Sequence, residues 1–220
     1  MIEREEIRES NYARLCEAWR LKFLSMDQER LLQKLPEIRV EGGYLTIRHF
    51  ARKYGIHRET GQIVAPEDDR PVSNDVKLNL YNLFYYSKEG AFLQNRWVPF
   101  RDVKAAGQFD SAYKKHVLIP FALTFSGKTN ELCEAAEKMG GIRVPQGDAG
   151  YILKCFDCIP MQYLFWDKDD EFEAQGDILF DYSGTDFIHV ESTVSLAIEG
   201  VMRLAEAGGV EIKGNIFGTY

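Results

Sequence analysis

The sequence predicts a single α+β domain in which mostly antiparallel strands pack against five or six helices. Two observations support this fold class. Segments with strand-like alternation occur in blocks, at 37–65 and within 150–181, rather than alternating one by one with helices. The chain also has 220 residues with 45% hydrophobic and 28% charged side chains. A chain of this size and composition can bury one large core without disulfides or a structural metal.

The first part of the chain has helical periodicity. Apolar residues recur at spacings of three and four over residues 5–25, and a second short helix runs from a cap at Asp27 to Leu35. We therefore predict a helical extension over residues 1–36 and an α+β core domain over 37–220. Within the core, residues 37–65 predict a meander of short antiparallel strands joined at glycine-containing turns.

The middle of the chain predicts mainly helices. The expected elements are a helix capped by Asn74-Asp75 and ending near Ser87, an extended piece over 97–100, a helix from Asp110 that bends or breaks at Pro120, and a helix over 129–139.

The last third returns to strands. The expected strands are 150–156, 161–166 and 177–181. A final helix capped by Ser192 then runs to about Ala207, and the tail over 210–220 is expected to add an edge strand.

Charge and composition narrow the function classes. A net charge of −7 without a run of basic residues argues against nucleic-acid binding. The charged N-terminus is not a signal peptide, and the uncharged stretch Val117–Gly127 is too short to span a bilayer. Four dispersed cysteines do not form a disulfide scaffold. We expect a cytoplasmic protein with a protein partner or a small cofactor, and no membrane or nucleic-acid partner.

An acidic segment follows the second predicted late strand. From Asp167 to Asp181 there are seven carboxylates and one lysine. Clustered carboxylates suit a hard cation such as Mg²⁺ or Ca²⁺, or a basic partner. An EF-hand does not fit, because Phe172 and Ile178 occupy the positions that require glycine and glutamate. The alternative is a solvated turn whose charges prevent an edge strand from aggregating.

Two sets of candidate residues come from this segment. The candidate metal ligands are Asp167, Asp169, Glu171 and Asp181. The candidate binding-loop residues for a partner are Trp166, Asp170 and Phe172.

A cofactor or redox site is a further possibility. Cys155 and Cys158 form a C-x-x-C pair, but a second pair of soft ligands is lacking and the surrounding pattern predicts extended chain. His189, close to Glu191, is the first histidine to consider as an acid, a base or an axial ligand, with a capping role as the alternative. Ser126-Gly127-Lys128-Thr129 imitates the end of a P-loop, but Ala122 replaces the required glycine.

Several phrases together resemble one uncharacterised domain family of anaerobic bacteria and archaea. The phrases are Tyr54-Gly55-Ile56, Thr60-Gly61-Gln62-Ile63-Val64, Trp97-Val98-Pro99-Phe100-Arg101-Asp102, Met139-Gly140-Gly141, Ile159-Pro160-Met161, Leu164-Phe165-Trp166-Asp167, Asp170-Glu171-Phe172 and Ile178-Leu179-Phe180-Asp181. The resemblance covers roughly residues 30–207. It implies a cytoplasmic protein of anaerobic metabolism near redox or corrinoid-linked chemistry. Some relatives are fused to a four-cysteine iron–sulfur domain, which this chain lacks because residues 1–40 contain only Cys16.

Three functions remain open at this level. The first is a non-catalytic binding or accessory protein that uses the acidic segment as a contact. The second is a divalent-metal-dependent enzyme that uses the carboxylates. The third is a corrinoid or haem binder with His189 or a cysteine as ligand. The sequence assigns no catalytic residue and no cofactor.

Overall fold

The computed structural model describes the backbone of residues 2–216 and the side chains of residues 11–216. The helices are α1 (Ile2–Leu24), α2 (Gln28–Lys34), α3 (Asn74–Tyr86), α4 (Asp110–Tyr113), α5 (Ile119–Phe125), α6 (Thr129–Lys138) and α7 (Val190–Gly208). The strands are β1 (Arg39–Glu41), β2 (Tyr44–His49), β3 (Arg52–His57), β4 (Ile63–Val64), β5 (Trp97–Pro99), β6 (Ile142–Arg143), β7 (Ala149–Phe156), β8 (Ile159–Trp166) and β9 (Gln175–Asp181).

These strands form two antiparallel sheets, which confirms the predicted α+β class. The first sheet has the order β1-β2-β3-β4 and is the predicted meander. Its β2–β3 hairpin turns through Phe50 and Ala51, which both have positive φ, at 46° and 64°. This conformation is strained for residues other than glycine. Phe50 is held there because its side chain is buried and its N–H donates to the Cys155 carbonyl of the second sheet.

The second sheet has the order β5-β9-β8-β7-β6 and two unlike faces. Side chains alternate between faces along each strand, and residues paired across antiparallel strands share a face. One face is buried; it carries Tyr151, Leu153, Cys155, Met161, Tyr163, Phe165, Ile178 and Phe180. We call the other face the outer face. Its central row runs across all five strands through Pro99, Leu179, Gln162, Ile152 and Ile142.

Helices cover the buried face of the second sheet. Phe121 of α5 lies with its ring centroid 6.0 Å from those of Tyr163 and Phe165. α7 approaches so closely at Gly200 that a Cβ there would lie 1.8 Å from the Tyr163 hydroxyl. The outer face is only partly open. Ile142 is 57% exposed, Trp166 is 40% exposed, and Pro99, Ile152 and Leu179 are half-buried, whereas Gln162 and Leu164 in the middle of the face are buried.

Of the predicted bend or break at Pro120, the break is wrong. α4, a π-helical turn over Lys114–Leu118 and α5 follow one another without interruption. In the π turn the Ile119 N–H bonds the Lys114 carbonyl, which adds one residue to the turn and places Pro120 in the first turn of α5. Proline has no backbone N–H, and this absence costs little stability in the first turn of a helix. With this run counted once, the described residues form six helices, as predicted.

Three details at element ends also differ from the prediction. Ser73, not Asn74-Asp75, caps α3. His189, not Ser192, caps α7. The predicted tail strand is wrong for residues 210–216, which contain no strand, and residues 217–220 lie outside the described residues.

The N-terminal helices contribute side chains to the common core. Phe23 of α1 packs against Phe84 of α3 at a centroid distance of 5.9 Å, and Leu31 and Leu35 are buried in the same cluster. The division between an extension over 1–36 and a core over 37–220 stays a prediction.

None of the helices within residues 2–216 combines the length and the apolar character needed to cross a bilayer.

Candidate functional site

The acidic loop, residues 166–173, projects from the end of the second sheet between β8 and β9. Asp169 shapes it: the carboxylate accepts hydrogen bonds from the N–H groups of Glu171 and Phe172, each at 2.8 Å. These bonds hold the pKa of Asp169 below its ordinary value. The turn leaves large aromatic side chains in solvent, with Phe172 63% and Trp166 40% exposed.

Most carboxylates of the acidic loop form no ion pair with a described residue. Among the described residues, no ion pair involves Asp169, Asp170, Glu171 or Glu173. The side chains of Asp170 and Glu171 also accept no hydrogen bond from the part of the chain that is described. The loop therefore presents free negative charge beside exposed aromatic rings.

Asp167 differs from its neighbours because it binds the turn that leads into α6. Its two oxygens accept from the Gly127 N–H and the Thr129 hydroxyl, both at 2.8 Å. Partial burial alone would raise the pKa of Asp167, but these bonds outweigh burial and lower it. The residues that imitate a P-loop thus form the turn before α6 and its first residue.

The four candidate metal ligands do not come together. Asp181 lies at the other end of β9, six residues beyond Gln175, or about 20 Å along the strand. It is buried, and one of its oxygens accepts from the Gln94 N–H and from the Ser183 N–H and hydroxyl. No three or more His, Cys, Asp or Glu side chains in the described part of the chain are placed to hold a metal ion.

The C-x-x-C pair lies at the β7–β8 hairpin. Cys155 is on the buried face of β7 with no exposed surface, and Cys158 is half-buried in the turn. Burial raises the pKa of both thiols, and the Glu37 carboxylate raises that of Cys158 further. Glu37 also accepts the N–H groups of Asp157 and Cys158, at 2.7 and 3.3 Å. Thiol exchange and thiolate ligation need the opposite pKa shift, so this environment suits structural cysteines.

The neighbour of Cys155 is His49, not His189. The His49 Nδ1 lies 3.0 Å from the Cys155 carbonyl oxygen and 3.4 Å from its Sγ. Because a carbonyl can only accept, Nδ1 carries the proton and Nε2 is a bare acceptor. Nε2 is buried and has no partner among the described residues. Burial, and secondarily the charge of Arg203, lower the pKa of His49 to about 3.

A second polar group, the guanidinium of Arg203, borders the pair of His49 and Cys155. Arg203 of α7 bonds Glu199 at 2.7 Å and donates to the Tyr54 hydroxyl at 2.7 Å. The buried hydroxyl of Tyr163 has no hydrogen-bond partner among the residues described. The histidine nitrogen that faces the Cys155 thiol is Nδ1, which carries a proton and therefore cannot act as its base. Neither residue is exposed and the pKa of the thiol is raised, so His49 and Cys155 do not form an accessible nucleophilic site.

His189 has the capping role that the sequence left open. Its Nδ1 accepts the Glu191 N–H at 3.4 Å at the start of α7, and its ring lies 5.1 Å from that of Tyr86. His189 therefore lies at the start of α7, whereas Cys155 and Cys158 lie in the β7–β8 hairpin. Sequence reasoning missed His49, although a signal existed: it is in phase with the buried Leu45 and Ile47 along β2.

The family model of a domain of unknown function, DUF3786, matches residues 30–203. The chain belongs to this family. No curated protein and no solved structure matches the chain. The match confirms the predicted membership of an uncharacterised domain family. The family description names no activity, ligand or partner.

Proposed function

We propose that this DUF3786 domain is a non-catalytic binding protein that docks a positively charged partner protein on the acidic loop and the adjoining outer face. The observation that carries the proposal is the exposure of Trp166 and Phe172 beside carboxylates without ion pairs. Exposed aromatic side chains are typical anchors of protein interfaces, and their faces attract Lys and Arg cations.

The outer face supports the same proposal. Trp166 belongs to this face, where Ile142 is exposed and Pro99, Ile152 and Leu179 are half-buried. An apolar surface bordered by charge is typical of a docking site. Free carboxylates at its border favour a basic partner over a second copy of this chain, because each copy has a net charge of −7.

The family resemblance supports a narrower version of the proposal, an accessory role in the cytoplasm of an anaerobic bacterium or archaeon. The metal-dependent enzyme is less favoured, because both Asp167 oxygens accept hydrogen bonds from Gly127 and Thr129 and because Asp181 is remote from the loop. The corrinoid or haem binder is less favoured, because His189 caps α7 and the thiols of Cys155 and Cys158 have raised pKa values.

The test is site-specific photocrosslinking in cells of the organism that encodes the protein, grown without oxygen. A photoreactive phenylalanine analogue replaces Phe172 in one variant and Phe92 in the control. The positions are matched, with 63% and 71% exposure. We expect a discrete crosslinked protein, identified by mass spectrometry, from position 172 and not from position 92.

A charge variant then tests the chemistry of the contact. Asp170→Lys with Glu171→Lys reverses two free charges and spares Asp169, which shapes the loop. We expect the crosslink at position 172 to be lost, because reversal replaces attraction with repulsion. Equal crosslinks at positions 92 and 172, or a crosslink that survives the reversal, would contradict the proposal.

A further inference from the structure

A cleft of about 390 Å³ lies between α2 and the end of α3. Its volume is within the range of small-molecule sites, about 300–1,000 Å³. Apolar lining comes from Met26, Leu31, Phe84 and Tyr85. Leu31 and Phe84 also belong to the buried core, so this part of the lining is rigidly held.

Lys34 is the cation of this cleft that forms no ion pair with a described residue. Its Nζ donates to the carbonyls of Ser87 at 2.8 Å and Phe84 at 3.3 Å, at the C-terminal end of α3. An ammonium has three N–H groups, so one remains for another acceptor. No carboxylate among the described residues lies within 4.0 Å of Nζ, whereas Arg30 and Lys88 pair with Glu89 and Asp186.

Among the cations that line the cleft, Lys34 is the one that favours an anion. Arg30 pairs with Glu89, and Lys88 pairs with Asp186 outside the lining, so among the described residues Lys34 is the lining cation that forms no ion pair. Partial burial, and then the charge of Arg30, lower the pKa of Lys34, and the charge of Glu89 opposes that shift only in part. A bound carboxylate would favour the charged ammonium further.

We propose that this cleft binds a small organic anion, a carboxylate joined to an aromatic or branched apolar group. The carboxylate lies on Lys34, on the side of Nζ away from the α3 carbonyls, and the apolar group lies against Met26 and Tyr85, the apolar lining residues with accessible surface. The apolar lining favours such a ligand over inorganic phosphate, which has no apolar part to bury. This site is independent of the docking proposal, because it uses no residue of the acidic loop.

The experiment is a titration of ¹⁵N-labelled protein followed by amide chemical shifts. The probes are phenylacetate, 3-methylbutanoate, inorganic phosphate and the neutral phenylacetamide. A fragment of about ten non-hydrogen atoms is expected to bind with a millimolar dissociation constant. We expect both carboxylates to shift the amides of residues 26–34 and 84–89, and phenylacetamide and phosphate to bind at least about tenfold more weakly.

Two variants test the role of the ammonium. Lys34→Met should weaken phenylacetate binding at least about tenfold, and Lys34→Arg should retain most of it. The matched control is Lys53→Met, which removes an ammonium already paired with Glu41 and should leave binding unchanged.

Three outcomes would overturn the proposal: equal binding of phenylacetate and phenylacetamide, shifts confined to other parts of the chain, or no shift in the cleft with either carboxylate at about 20 mM. The comparison of the charged and neutral probes uses the unaltered protein. The proposal therefore stays falsifiable even if Lys34→Met loosens the end of α3.

Discussion

The imidazole of His49 should make the stability of this protein fall in mild acid. Its pKa is 6.5 in an ordinary environment and about 3 in the folded protein. Between these values the unfolded chain binds the proton and the folded protein does not. The free energy of unfolding therefore decreases as the pH falls below 6.5, until the folded protein also binds the proton near pH 3.

The size of the effect follows from the pKa difference. One pKa unit corresponds to about 1.4 kcal/mol, so the complete effect is about 5 kcal/mol. Between pH 7.5 and 4.5, protonation of His49 in the unfolded chain lowers the free energy of unfolding by the equivalent of about two pKa units, or about 3 kcal/mol. That loss is a large part of the stability of a typical domain, about 5–15 kcal/mol.

The assay is urea unfolding of the unaltered protein and of His49→Asn at pH 7.5, 6.0 and 4.5. Asparagine keeps an N–H donor for the Cys155 carbonyl and does not titrate. The variant should be less stable at pH 7.5, because it loses the stack of His49 on Phe156, whose ring centroid lies 4.5 Å away. All other titrating groups are common to both proteins, so the difference between the two pH profiles isolates His49. Profiles that stay parallel within about 0.5 kcal/mol would refute the reasoning.

Three further predictions concern packing, hydrogen bonding and thiol reactivity. Gly200→Ala should destabilise the protein by about 1–3 kcal/mol or more in urea unfolding, because the new Cβ would lie 1.8 Å from the Tyr163 hydroxyl. Adding Tyr163→Phe should restore part of that loss, and strictly additive effects would contradict the contact. Asp167→Ala should cost about 1 kcal/mol through loss of its hydrogen bonds to Gly127 and Thr129, while Asp170→Ala should stay within about 0.5 kcal/mol of the unaltered protein. Cys155 should resist alkylation in the native state at pH 7.5 and react once urea unfolds the chain, because its thiol is unexposed and its pKa is raised; mass spectrometry of native, alkylated protein checks this.

Local sequence patterns were sufficient to predict most of the fold. Period-2 alternation and glycine turns predicted the first sheet and the three long strands of the second, and spacings of three and four predicted the helices, whereas the short strand β6 was not predicted. The helix does not break at Pro120, for a local reason that the apolar pattern does not show. In an α-helix an interior proline removes a backbone hydrogen bond, whereas the π turn before Pro120 places this residue in the first turn of α5, and the helix continues.

The candidate site was predicted less completely, because its parts come from distant segments. The acidic loop is contiguous, so its exposed aromatics and carboxylates could be identified from the sequence. The hydrogen bond between Asp167 and the turn before α6 could not, because 40 residues separate Asp167 from Gly127. The pairing of His49 with Cys155 spans 106 residues. Asp181 was included with the loop carboxylates by sequence proximity, but an extended strand carries it away from them.

The contact between His49 and Cys155 also explains how the two sheets are joined. The register of β7 against β8 shifts between Lys154 and Phe156, which leaves the Cys155 carbonyl outside the regular ladder. That oxygen accepts both the Phe50 N–H at 2.9 Å and the His49 Nδ1–H at 3.0 Å. A carbonyl has two lone pairs, so both are used to hold the β2–β3 turn of the first sheet.

This joint gives a structural reason for a buried histidine whose Nε2 has no partner among the described residues. Phe50 has a positive φ and donates its N–H to the Cys155 carbonyl, and the side chain of His49 supplies the second donor that holds the strained turn in place. A phenylalanine at position 49 could stack on Phe156 but could not donate to the carbonyl. The polar pair between the sheets therefore serves to fix their relative position, and the exposed acidic loop remains the better candidate for binding a partner.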